Sequence, residues 1–119
     1  MPTLQDIQYI AEVEFHRLII DSQPLGDKLR LFLPDGSYID AWLARRLNNR
    51  FGFHWERKHI DGTLYRYDNF PDTDWNCVTT YPYHFHNGSQ KNVEASPFAP
   101  DALDGFRDFM RFVERKLAT

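Results

Sequence analysis

A two-residue hydrophobic rhythm punctuated by turn chemistry does most to narrow what this chain can become. Leu29, Leu31 and Leu33 alternate with polar residues and then meet Pro34-Asp35-Gly36-Ser37. An apolar residue at every second position suits a strand with one buried face, because successive side chains point to opposite sides. Proline presets its own φ, aspartate accepts from nearby backbone, and glycine takes positive φ, so the tetrapeptide is a turn and the whole a hairpin with its second arm at about 37–43. After the loop Arg45-Arg46-Leu47-Asn48-Asn49, a further strand carries Phe51, Phe53 and Trp55 on a core face. Asp61-Gly62 is a favoured two-residue hairpin turn and would join that strand to residues 63–69 with Arg57 opposite Arg66. On that register His54, Glu56, Tyr65 and Tyr67 share one face, with Trp55, Arg57, Arg66 and Asp68 on the other. Either Asp68 or a bound anion offsets the facing arginines, or the loop is longer than two residues and the register differs.

The ends read differently. Thr3 can cap a short helix whose apolar positions Leu4, Ile7, Ile10 and Ala11 fall on one side. From Val13 the spacing of Val13, Phe15 and Ile19 suits a strand, while helix continuation to about Ile20 fits as well. A strand is predicted near 78–81, leading into a segment that Pro82 confines to an edge or loop. Residues 87–100 read as a long surface connection with a short strand near Val93. Asp101 then opens the best helix, with Leu103, Phe106, Met110, Val113 and Leu117 in one stripe, Phe109 widening it and Asp104 assisting the cap. These elements describe one α+β domain over residues 1–119: an antiparallel meander of about five or six strands, a short N-terminal helix, and a C-terminal amphipathic helix packed on one sheet face.

The net charge of −3 argues against nonspecific coating of nucleic acid, which depends on many phosphate contacts. Residues 45–66 are locally basic, with Arg45, Arg46, Arg50, Arg57, Lys58 and Arg66 against Glu56 and Asp61. That run can receive an anion or simply form a solvated face. No apolar run approaches a membrane span, the first six residues lack signal-peptide character, and the single Cys77 allows no internal disulfide, so a cytoplasmic protein is expected. Cys77 has no basic neighbour in sequence and reads as an inert, buried thiol. His16 and His59 read as ordinary surface or edge residues.

The chemistry concentrates in Tyr81-Pro82-Tyr83-His84-Phe85-His86-Asn87-Gly88, which places two imidazoles two residues apart. A close pair of groups titrating near neutrality can move protons, bind a metal or grip a phosphate. Together with Tyr65-Arg66-Tyr67-Asp68-Asn69, the Asp35-Gly36-Ser37 turn, Val93 and Ser96-Pro97, this segment resembles the TumE-like family from about Leu29 to Leu103. The resemblance implies a small cytoplasmic toxin of a toxin–antitoxin module, encoded with a helix-turn-helix antitoxin. The chain departs from the family pattern at Tyr83 and Asp72, where relatives often carry further histidines. A degenerate family member is therefore an alternative.

Three chemistries fit these residues. In a metal-independent ribonuclease, His84 and His86 would exchange protons with the 2′-hydroxyl and the leaving oxygen. Arg66, with Arg57, would then meet the phosphate, Tyr67 and Asp68 would support, and Trp75, Tyr83 and Asn69 would contact substrate, Asn69 alternatively holding its loop. A metal would need Asp68, Asp72, Asp74 or His54 to complete two histidine ligands. No Cys-rich or His-Glu-x-x-His pattern supports one, so no metal or cofactor is assigned. A non-catalytic binding protein, held by an antitoxin or in a homodimer through Trp75, Tyr81, Tyr83 and Phe85, would use the 16% aromatic content instead. Two purely structural roles compete with all three. The imidazoles can bond loop carbonyls, and Arg66 and Asp68, two apart on one strand face, can form a local ion pair.

Overall fold

A computed structural model describes residues 1–47 and 49–119, so Asn48 of the basic loop lies outside the described residues. Helix α1 (Leu4–Glu14) begins with a reciprocal cap, in which the Thr3 hydroxyl accepts from the Asp6 amide and the Asp6 carboxylate accepts from the Thr3 amide. It ends at Phe15, and neither the strand beginning at Val13 nor a helix to Ile20 is present. Edge strand β1 (Asp21–Leu25) follows, with Pro24 where a proline costs a sheet least. Strands β2 (Lys28–Phe32) and β3 (Tyr38–Leu43) form the expected hairpin, with Gly36 at φ 89°. Strand β4 (Phe51–Arg57), a helical turn α2 (Lys58–Asp61), β5 (Thr63–Asp68), β6 (His84–Gly88) and β7 (Val93–Ala95) complete one antiparallel meander. Seven strands replace the expected five or six.

The C-terminal helix α3 (Ala102–Leu117) is capped by Asp101, whose carboxylate accepts from the Asp104 amide. Its Phe106, Phe109 and Phe112 meet Phe53, Trp55, Tyr65 and Phe85 of the sheet. Both helices thus cover one sheet face, where Leu29, Leu31, Ile39, Phe53, Trp55, Tyr65, Tyr67 and Phe85 lie buried. Burying a large apolar side chain of this kind is worth about 1.5–3 kcal/mol, which makes this face the main source of stability. The alternate residues form a second, helix-free face.

Two sequence expectations fail for identifiable reasons. Gly62 does adopt positive φ, at 79°, but it closes the helical turn α2 and not a two-residue hairpin. Arg57 consequently faces Thr63, and Arg66 faces His54. That displacement by three residues is odd, so it exchanges the faces: Arg66 and Asp68 leave the core side and Tyr67 joins it. The strand predicted at 78–81 is also absent. Residues 70–83 form a loop of successive tight turns, including a 3₁₀ turn at Thr73–Trp75, and the amides of Val78, Tyr81 and Tyr83 bond backward to Trp75, Val78 and Thr80. Cys77 sits in this loop and is exposed, contrary to the buried thiol expected. No helix is long and apolar enough to cross a membrane among the described residues.

Candidate functional site

The helix-free face ends under loop 70–83. Strand pairing sets Asp68 directly opposite His84, and Arg66 opposite His86, so four polar side chains project from adjacent strands into one patch. Although both are polar, His84 is only 2% exposed and His86 1%. Trp75, carried by the loop, places its ring 5.5 Å from that of His86 and 6.4 Å from that of His84. The resulting pocket of about 260 Å³ is lined by Arg66, Asp68, Phe70, Asp72, Trp75, His84, His86 and Gln90.

The groups around the two rings bias their protonation in opposite directions. Nδ1 of His84 lies 2.9 Å from the Pro82 carbonyl, and its Nε2 lies 3.2 Å from Oδ1 of Asp68. A carbonyl can only accept, so Nδ1 carries a proton, and a carboxylate favours a second proton on Nε2. This arrangement favours the charged form of His84. Burial disfavours that charge, yet Asp68 and the Pro82 carbonyl outweigh it and hold the His84 pKa above its ordinary 6.5. Nδ1 of His86 lies 2.9 Å from the Gln90 carbonyl and so also donates. Its Nε2 then keeps a lone pair, and it has no protein partner among the described residues. Burial, with the positive charges of His84 and Arg66, holds the His86 pKa below 6.5 against the pull of that carbonyl. Ring centroids 5.0 Å apart thus carry opposite tendencies, one acid and one base.

Asp68 is equally constrained. Burial alone would raise its pKa, but the bond from His84 and the charge of Arg66 bring it below the ordinary 3.8. Its carboxylate also accepts from Nε of Arg66 at 2.7 Å and from the Phe70 amide at 3.0 Å. The Arg66 guanidinium lies across Gly52, where a β-carbon would stand 2.7 Å from Nη2. Glycine here leaves room for a cation over the sheet. Donor atoms of Asp68, His84 and His86 lie within 4.8 Å of one another, so the same three groups can also hold a divalent ion.

The remaining predicted residues lie elsewhere. Tyr67 is fully buried on the helix side, where its hydroxyl donates to the Ala99 carbonyl at 2.7 Å and burial raises its pKa. Tyr83 also points to that side, beside Phe51 and Tyr67, and its hydroxyl accepts from Asn49 at 2.8 Å. Asn69 tethers the start of β4: its side-chain oxygen accepts from the Phe51 amide at 2.9 Å, and its side-chain amide donates to the Asn49 carbonyl. Arg57 lies at the opposite end of β4, bound to Asp35 at 2.5 Å and Asp61 at 3.1 Å. The basic run 45–66 is accordingly dispersed, and among its described residues only Arg66 lines the pocket.

Sequence reasoning missed Gly52, Phe70 and the carbonyls of Pro82 and Gln90. A glycine between Phe51 and Phe53 in a strand was a readable sign of close approach. Backbone carbonyls leave no mark on a sequence.

The fold and pocket define a small α+β protein whose histidine–carboxylate cluster lies at one end of an otherwise open sheet. The chain belongs to the family described as toxin TumE, which matches residues 3–117. It is thus a toxin of the toxin–antitoxin kind, and family membership implies an antitoxin partner. No curated protein and no solved structure matches the chain.

Proposed function

We propose that this toxin is a metal-independent ribonuclease in which His86 is the base and His84 the acid. The observation that carries this reading is the geometry of two adjacent imidazoles, one set against the Pro82 carbonyl and the Asp68 carboxylate, the other against the Gln90 carbonyl with its Nε2 facing the pocket, which supports opposite proton affinities. Nε2 of His86 takes the proton of a 2′-hydroxyl, and the 2′-oxygen attacks the adjacent phosphorus. The bond from phosphorus to the 5′-oxygen breaks, leaving a 2′,3′-cyclic phosphate. That leaving oxygen receives the Nε2 proton of His84, whose 3.2 Å contact with Asp68 is long enough to yield to a better acceptor. Arg66 uses Nε on Asp68 and can direct its remaining N–H groups at the phosphate. Trp75 offers an aromatic surface beside the reacting atoms. The antitoxin would be a helix-turn-helix protein and the site of action the cytoplasm, where RNA is met.

A second reading has its own support. Both histidines donate Nδ1–H to a carbonyl, as metal-bound histidines do, and their Nε2 atoms and Asp68 then suit a divalent ion. Incubating tag-free protein with single-stranded RNA in EDTA tests both. Cleavage to cyclic-phosphate ends in EDTA, lost in His86→Ala, is the expected result. Cleavage that stops in EDTA and returns with zinc or manganese would replace the first reading with the second. RNA left intact under every condition would leave a non-catalytic binding protein of the toxin–antitoxin complex.

A further inference from the structure

The helix-free face carries aromatic side chains that the proton chemistry does not use. Directly across the strands, paired residues run Lys28, Trp42, Gly52, Asp68, His84. With strands about 4.8 Å apart, the Trp42 backbone lies roughly 14 Å from that of His84, on the same face. Phe70, just beyond β5, brings its ring to 5.2 Å from Trp42 and also lines the histidine pocket. Both rings are only partly buried. Between this aromatic pair and the histidines stands Arg66, over Gly52 and 6.0 Å from the Phe70 ring. On the far side of Trp42, Lys28 and Arg30 share the single carboxylate of Asp40, leaving that trio with one net positive charge.

We propose that Trp42 and Phe70 form a shelf on which an unpaired base of single-stranded RNA stacks, next to the phosphate held by Arg66. The inference rests on the ribonuclease reading above. Across this face the order is cation, aromatic pair, the Arg66–Asp68 pair with the arginine lying over Gly52, and imidazole, so a base on the aromatic pair would have a cation on either side for its flanking phosphates. A duplex has its bases stacked on one another and offers none to such a shelf. Gly52 permits the arrangement, because a side chain there would displace the arginine that links shelf and pocket.

The test is fluorescence anisotropy of a labelled, uncleavable 2′-O-methyl oligoribonucleotide on the full chain, with RNA cleavage and antitoxin binding measured in parallel. Trp42→Ala is expected to raise the Kd about tenfold and Trp42→Phe to stay within about threefold of the wild type, with the same sequence as a duplex bound more weakly. Phe70→Leu, smaller in its effect on folding, should follow Trp42→Ala. Equal affinity of the wild type and both shelf variants would overturn the shelf and leave the ribonuclease reading intact if cleavage persists. A wild type that neither binds the probe nor cuts RNA would overturn both. Loss of antitoxin binding in Trp42→Ala, with RNA affinity unchanged, would assign the face to the protein partner and overturn the shelf.

Discussion

Strands β4 and β5 carry an arginine–aspartate cluster at each end, and the two clusters differ in what they leave over. At the α2 end, Arg57 lies between two carboxylates, those of Asp35 and Asp61, so its charge is fully matched. At the other end, Arg66 meets only Asp68, which it shares with His84, and His86 brings a lone pair with no protein partner among the described residues. The first cluster is closed and clamps the β2–β3 turn to α2. The second has donors and an acceptor in excess, and a pocket in front of them. Unmet bonding capacity at a defined place, more than charge or residue type, separates a candidate site from a clamp.

The sharpest way to break this contrast is to disable one residue in each cluster. His86→Ala should lower RNA cleavage by roughly 10² to 10⁴-fold, the usual worth of a general base. Arg57→Gln should leave cleavage within about twofold and change stability by less than about 1 kcal/mol, as expected of partly exposed ion pairs. Cleavage rates and urea unfolding on the same preparations decide it, and an Arg57 variant as inactive as the histidine variant would erase the distinction.

Asp68→Asn probes what holds the pair of imidazoles apart, and should reduce cleavage on the order of tenfold to a hundredfold. In the wild type, activity requires His84 protonated and His86 neutral. The rate should therefore fall as pH drops through the lowered pKa of His86 and as pH rises through the raised pKa of His84, with a maximum between the two. Without the Asp68 charge the alkaline limb should move to lower pH, which a pH–rate profile reads directly. Stability follows the same linkage. The folded pKa of His84 is raised, so its contribution is complete below 6.5 and disappears as pH climbs through the folded value. Asp68 has a depressed folded pKa, so its contribution holds above 3.8 and is lost as pH falls through the folded value.

Gly52→Ala addresses the excess donors of Arg66 without touching a titrating group. The new methyl would stand 2.7 Å from Nη2, so the guanidinium must move off the strand. About a tenfold loss in kcat/KM with little change in unfolding midpoint is expected, and unchanged kinetics would show that Arg66 need not lie there.

How much of this was legible in the chain depended on how local each signal was. The Leu29–Leu33 alternation, the turn at 34–37, the Thr3 and Asp101 caps and the α3 stripe are all determined within a few residues, and the structure contains each of them. The resemblance of the Arg66–Asn69 and Pro82–Gly88 motifs led to the right family. The pairing of β4 with β5 was not local. It hung on whether Asp61-Gly62 was a whole turn or the end of a longer one, and residues 58–61 form a helical turn that Gly62 closes through its amide on the Lys58 carbonyl. The loop over the pocket was misread for a similar reason, since Val78 to Tyr81 has strand composition but bonds to itself in tight turns. The carbonyls that set the histidine protonation belong to backbone and could not be read at all.

Tyr67 makes that register error testable, with the smallest effect of the series. On the misread register it shared a face with His54 and joined the catalytic group. In the structure its neighbours Arg66 and Asp68 face the pocket while its own ring lies among Phe51, Phe53 and Phe98. Its hydroxyl donates to the Ala99 carbonyl just before α3, which ties β5 to the helix layer. Tyr67→Phe keeps the ring and removes that one bond, so a loss of about 1 kcal/mol in urea unfolding is expected, with cleavage unchanged. A tyrosine acting on substrate would give the reverse, a fall in kcat at unchanged stability. That result would require β5 to present its other face to the pocket, which is incompatible with Asp68 pairing opposite His84.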